Sequence, residues 1–437
     1  MRPAASRVDY RQVLIVLVVA WLARFLFVWF MPPRAASTDI RSWYTVGGLL
    51  WDGVNPYKET SSLNWPPLWM QIIYFLSKMA ALFGKPLRYA IQIFLTVAES
   101  AVIVALFRLI RQILPDTRPF LVILLGIALN PATIFLTCQH GNFDVLAGLW
   151  VLLFASQLIQ YHQTQKEVDW LAACMFLGLG ILTKTVPLVL CPMLAGGLRH
   201  VRAKARILGL VSLLGPVTLG MSIIYVLAPD DVTRKVLAYR SISGFFGISG
   251  LLQMTGADAF LSTTKALFYV LLATAAGAAG MFFWKRQRVE PRDIILFASM
   301  LLVLIPCLGP GYSPSYLYWF LPLLIPSYFL GGKAWQRALA VFAVVVALTY
   351  IVEYAVIPSH GKFLSYIFID HNITVSPETL EKIKWMGTPA GQFAVRLPLF
   401  AAYLTLLLFG MAMLARGPQA VPAEPPPAKS TPTKRKH

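Results

Sequence analysis

The chain has 437 residues, 57% of them hydrophobic and only 13% charged, which leaves too little polar surface for a water-soluble globule. Its net charge of +19, from 38 Lys and Arg against 19 Asp and Glu, would suit nucleic acid only if the cations gathered on one soluble face. They lie instead between apolar runs, the placement of basic cytoplasmic loops beside anionic lipid.

The first apolar run, Val13 to Met31, follows Arg2, Arg7 and Arg11. At about 19 residues, with Arg24 inside and no small-residue cleavage site before Pro32, it reads as a transmembrane helix and not a signal peptide. Further spans are expected at Tyr89 to Leu109, Phe120 to Thr137, Val145 to Ile159, Trp170 to Leu182, Val186 to Leu198 and Ile207 to Leu227. Five more follow at Ala266 to Trp284, Ile294 to Leu308, Tyr316 to Leu330, Ala338 to Val356 and Leu397 to Leu414. A backbone in hydrocarbon must satisfy its own hydrogen bonds, so the expected fold is an all-α polytopic membrane protein of about 12 transmembrane helices.

The apolar segment Pro66 to Phe83 decides the orientation of everything after it. Kept on the outer surface, it gathers 22 of the 38 Lys and Arg but only 7 of the 19 acids on one side, the asymmetry of the positive-inside rule. The same reasoning divides Trp170 to Leu198 at Lys184 and Pro187, into halves of about 13 residues and about 20 Å, too short to cross a 30 Å core unaided. Four outer loops result: 32–88, 138–144, 228–265 and 357–396, the first carrying amphipathic helices. The chain then divides into a cytoplasmic N-terminus (1–12), a first membrane module (13–265), a second (266–415) and a Pro- and Lys-rich cytoplasmic tail (416–437) that reads as disordered.

Polar groups in or beside the membrane are costly and therefore the place to look for chemistry. Asp39, about eight residues past the first helix, is either a general base or the N-cap of a helix starting at Ile40. His140, Asn142 and Asp144 crowd the shortest outer loop, where one of them serves as a helix cap or all belong to a site. Lys184, between two short helices, is either a snorkelling side chain or a cation for a lipid phosphate, and Arg240, in Tyr239-Arg240-Ser241, either forks onto a phosphate or packs on an aromatic face. Gly309 to Trp319 reads as an interfacial break with an aromatic belt. Arg24 and Glu99 lie at similar depths on antiparallel helices, about 10 to 15 Å below the outer boundary, and are expected to form a buried ion pair. The alternative puts Glu99 in the reaction cavity.

Cys138, Cys174, Cys191 and Cys307 have no paired spacing, so neither a disulfide framework nor a zinc site is implied. Nothing in the sequence forms a nucleotide-binding loop, a nucleophile elbow or a metal-binding motif.

Taken together these segments resemble the GT-C superfamily of membrane glycosyltransferases, which use polyprenyl- or dolichyl-phosphate sugars. The resemblance rests on Asp39, on Gly53-Val54-Asn55-Pro56-Tyr57, on Trp65-Pro66-Pro67-Leu68, and on Asn130-Pro131 leading to His140-Gly141-Asn142-Phe143-Asp144. The last segment is similar to one in dolichol-linked glucosyltransferases, and the break from Lys184 to Pro187 to one shared with polyprenol-dependent mannosyltransferases. It runs from Val13 to about Gly250 and implies Asp39 as the base and Lys184 and Arg240 on the donor phosphate. His140, Asn142, Asp144, Tyr57 and Trp65 would then bind sugar or acceptor. Many relatives carry a second acid near the position of Asp39, and its absence here leaves no expected metal or other cofactor beyond the lipid-linked donor.

The implied function is an inverting hexosyltransferase using mannose or glucose, acting on a lipid-linked or glycan acceptor at the extracytoplasmic face of a plasma or inner membrane. Its partners would be membrane lipid, donor and acceptor, with no nucleic acid. A multi-pass transporter or lipid flippase is the main alternative, and a lipid-linked oligosaccharide ligase the third.

Overall fold

The computed structural model describes residues 9–31, 37–237, 246–356 and 376–416, and every regular element among them is a helix. The first half contains α1 (Tyr10–Phe30), α2 (Thr38–Trp51), α3 (Pro56–Glu59), α4 (Pro67–Leu82) and α5 (Leu87–Ile113), then α6 (Phe120–Ala128), α7 (Pro131–His140), α8 (Asp144–Thr164), α9 (Glu167–Thr183), α10 (Val186–His200) and α11 (Ala203–Leu227). The second half contains α12 (Gly247–Met254), α13 (Leu261–Lys285), α14 (Pro291–Leu308), α15 (Leu317–Leu330), α16 (Lys333–Val356), α17 (Pro377–Met386) and α18 (Pro389–Ala415).

Eight of these helices are long and apolar enough to cross a membrane: α1, α5, α8, α11, α13, α14, α16 and α18. The chain is a multi-pass integral membrane protein. The expected span at Phe120 to Thr137 is broken into α6 and α7, which meet at 46°. The cause is Pro131, which has no N–H and pushes Asn130 into an extended conformation (φ −67°, ψ 122°). The remaining expected spans fall on α9, α10 and α15, whose 17, 15 and 14 residues are shorter than the roughly 20 needed to cross hydrocarbon alone.

Lys184 is extended (φ −154°, ψ 142°) between α9 and α10. Gly180 packs against Pro187 and Trp170 against Gly197, so the two helices fold back as a hairpin with Lys184 at its tip. Arg199 and Arg202 therefore return to the end where α9 began: Arg202 pairs with Glu167 at 2.6 Å and Arg199 donates to the Trp284 carbonyl. At that same end His162 meets the Gln287 carbonyl and Arg292 donates to that of Met413. These four contacts gather basic and polar residues at one end of the bundle.

Helix α4 belongs to the other end. It runs alongside α2, with Trp69 against Trp43, Ser77 beneath Gly47 and Lys78 Nζ 3.4 Å from the centre of the Trp51 ring. It also packs along the first turns of α5, where Trp69 meets Phe94 and Leu87 approaches Gly47. Helices α8 and α14 are the most enclosed of the long helices, whereas α11 and α13 are among the least and present apolar faces outward. Gly148 on α8 allows the backbone of α15 to approach, since a Cβ there would strike the Tyr318 carbonyl.

Candidate active site

Helix α2 starts one residue before Asp39 and is capped by Ser37, whose hydroxyl accepts from the Ile40 N–H at 3.1 Å and donates to the His140 carbonyl at 2.6 Å. The cap reading of Asp39 is thereby corrected. With Ser37 performing that role, Asp39 sits in the first turn, where the helix dipole favours its ionised form.

Helix α7 ends in a π-helical turn, and Gly141 reverses the chain in the left-handed region (φ 64°), with Ile40 filling the space a Cβ would take. Its carbonyl accepts from the Trp43 indole at 2.8 Å. The reversal brings two side chains onto the carboxylate of Asp39. His140 Nε2 lies 3.0 Å and Asn142 Nδ2 2.7 Å from the same atom, Oδ2. Oδ1 has no hydrogen-bond partner among the described residues, and Asp39 lines a cavity. Burial pushes the Asp39 carboxyl up, but His140, Asn142 and Lys184 outweigh it and hold it below the usual carboxylate range.

Asn142 works in two directions. While its amide N–H donates to Asp39, its Oδ1 accepts the Asp144 N–H, the first of α8, at 2.8 Å. Asp144 is fully buried and does not line the cavity, so its expected contact with sugar is replaced by an ion pair: Oδ1 holds Lys184 Nζ at 2.6 Å. The ammonium reaches the cavity, 5.4, 5.3 and 5.0 Å from the ring centres of Phe143, Tyr316 and Trp319.

The cavity measures about 720 Å³, within the range of small-molecule sites. Asp39, Asn64, Asn142, Lys184, Ser313 and Ser315 line its polar part, and Val186, Leu188, Val189, Leu272, Ala273 and Ala276 an apolar part between α10 and α13. Trp65 lines it too. Tyr57 does not: it is 1% exposed, because its hydroxyl turns inward to the Trp65 carbonyl at 2.9 Å, so it supports Trp65 instead of meeting a ligand directly. His140 likewise stands behind Asp39 without lining the cavity. Arg240 lies outside the described residues.

Arg24 and Glu99 are paired and buried. Arg24 also donates to the carbonyls of Ala128 at 2.7 Å and Ala20 at 3.1 Å and to Thr133 Oγ1 at 3.1 Å, while Tyr318 donates to Glu99. Neither residue lines the cavity.

A model for "Dolichyl-phosphate-mannose-protein mannosyltransferase" matches residues 66–227. Among solved structures, the chain is similar to ArnT from Cupriavidus metallidurans bound to undecaprenyl phosphate, with a TM-score of 0.52 and 14% identity over 93% of this chain and 78% of that one. No curated protein matches. The likeness to ArnT, at this identity, shows a shared fold.

The site draws on both halves of the chain. Residues from Gly309 to Trp319, read from sequence as an aromatic belt, form one wall of the cavity. Their only sequence signal was the density of Gly, Pro and aromatic residues. Tyr354 of α16 meets His140 Nδ1, and Tyr350, one turn earlier, donates to the Pro314 carbonyl. Glu353 and Arg396, a buried pair at 2.6 Å, join α16 to α18 beside these tyrosines. Glu353 inside one expected apolar span and Arg396 at the edge of the next are the sequence signals of that pair.

Proposed function

We propose that the protein is an inverting glycosyltransferase that moves one hexose, mannose or glucose, from a polyprenyl-phosphate donor to a lipid-linked or glycan acceptor on the extracytoplasmic face. The observation that carries this reading is the two-part cavity. A carboxylate and an ammonium face its polar part, and an apolar wall continues from them between α10 and α13. Such a shape suits a phosphate with a hydrocarbon tail better than a soluble nucleotide sugar. The mannosyltransferase likeness and the undecaprenyl phosphate bound by ArnT support the same donor class.

In the proposed step the acceptor hydroxyl oxygen attacks the anomeric carbon from the face opposite the phosphate. The bond from that carbon to the phosphate oxygen breaks, and the electron pair leaves with the lipid phosphate. Asp39 Oδ1 takes the hydroxyl proton. A carboxylate held below its usual range is a weak base for a free alcohol, but the proton becomes acidic as the new C–O bond forms, so transfer late in the step suits it. Lys184 stabilises the phosphate dianion as it departs, with Arg240 as the second proposed cation. Asp144 keeps Lys184 aimed.

The test is transfer in proteoliposomes from radiolabelled polyprenyl-phosphate mannose or glucose to an extracted acceptor fraction. Product that depends on the lipid donor and is absent with Asp39→Asn is expected. Movement of label across the bilayer without a new glycosidic bond would favour the flippase alternative and sink the proposal. Block transfer of a preassembled oligosaccharide would favour the ligase.

A further inference from the structure

The hydrogen bonds at Asp39 Oδ2 continue beyond His140. The imidazole presents Nε2 to the carboxylate and Nδ1 to the hydroxyl of Tyr354, a residue 214 positions away on α16. Tyr354 is fully buried, and its ring stacks on Phe135 of α7, 5.2 Å between centres at 11°. Packing therefore fixes the phenol against the same helix that ends in His140.

An ionised Asp39 has no proton to give, so the 3.0 Å contact requires an N–H at Nε2. A neutral imidazole carries one ring proton, which leaves Nδ1 as an acceptor, and the Tyr354 hydroxyl stands where a donor is needed. We propose that Tyr354 is a positioning residue for the base: its hydroxyl donates to His140 Nδ1, keeps the ring proton on Nε2, and so holds the Asp39 carboxylate with Oδ1 toward the cavity. The proposal rests on Asp39 being the base.

Without that hydroxyl the ring proton is free to occupy Nδ1. A lone pair would then face Oδ2, and the carboxylate would keep only the Asn142 amide, one donor where there were two. A carboxylate held by one donor swings about its Cβ–Cγ bond, so fewer bound complexes have Oδ1 on the acceptor hydroxyl. Donor binding is assigned to Lys184, which is held by Asp144 and not by His140, and is unaffected. The loss belongs in kcat.

Tyr354→Phe is expected to lower kcat about ten- to a hundredfold, the usual cost of removing a group that orients a reacting one, with KM for the polyprenyl-phosphate donor within about twofold. In a His140→Ala background the same substitution is expected to cost nothing further, because the ring through which it acts is gone. Tyr350→Phe is the control for packing: it removes an equally buried hydroxyl from the same helix, one that donates to the Pro314 carbonyl, and should cost the same with or without His140. An unchanged kcat, a loss expressed in donor KM, or an equal loss of kcat in both His140 backgrounds would overturn the positioning role. Transfer that survives Asp39→Asn would instead overturn the base itself, so the two failures are told apart.

Discussion

The two ends of α7 present the same physical problem with opposite solutions. At its start, Asn130 and Pro131 interrupt the helical ladder and leave carbonyls without intrahelical donors, a costly state in lipid. Arg24 and Thr133 fill them, with Thr133 Oγ1 donating to the Ile127 carbonyl at 2.6 Å, and Glu99 and Tyr318 complete a closed cluster. At its end, Gly141 interrupts the chain again, and His140, Asn142 and Asp39 gather there. That cluster is left open: Oδ2 of Asp39 is held while Oδ1 stands without a partner among the described residues, beside the cavity. Both clusters contain a carboxylate facing a base, so charge alone does not separate scaffold from site. An unused lone pair beside a cavity does.

Substitutions sharpen that contrast. At the open end, Asp39→Asn should cost at least about a hundredfold in transfer while leaving donor binding intact, because it removes the base and keeps the shape of the side chain. Equilibrium binding of the lipid donor, measured beside turnover, checks both halves of the statement. Lys184→Met should lose about a hundredfold in kcat through lost stabilisation of the leaving phosphate, and it strands buried Asp144 as well. Adding Asp144→Asn should restore the yield of folded protein without restoring turnover. Recovery of both would make Lys184 structural and erase the distinction between the two ends.

At the closed end the effects should appear in stability. Arg24→Ala and Glu99→Ala should each destabilise by about 3–5 kcal/mol, the cost of leaving a buried charge without its partner, and the double substitution should cost less than their sum. Unfolding in detergent measures this, and additive losses would show that the two charges are not coupled. The smallest effect is expected at Tyr57→Phe, which removes one hydrogen bond to the Trp65 carbonyl, about 0.5–1.5 kcal/mol of stability, and should change acceptor KM no more than a few-fold.

Much of this contrast was legible in the chain. Depth arithmetic put Arg24 and Glu99 at one level, because helical rise is constant and unpaired charge in hydrocarbon is prohibitive. The polar residues from His140 to Asp144 marked their loop because one cap does not need so many. The break at Lys184 followed from the basic cluster after it, which had to return to its own side. Tyr57 and Asp144 were read as ligand-facing because a motif gives position in the chain but not direction of the side chain. Both turn inward, to Trp65 and to Lys184.

Sequence by itself determined the helices, their apolar faces, the sorting of loops between two ends and the crowding of polar groups near Asp39. These depend on composition and on spacing along the chain, which local physics reads directly. Tertiary structure alone decided that Ser37 and not Asp39 caps α2, that Tyr316 and Trp319 face Lys184, and that Tyr354 reaches His140 from 214 residues away. Each of those facts is a choice of rotamer or of neighbouring helix, and lipid, which accepts any apolar face equally well, places no mark of that choice on the sequence.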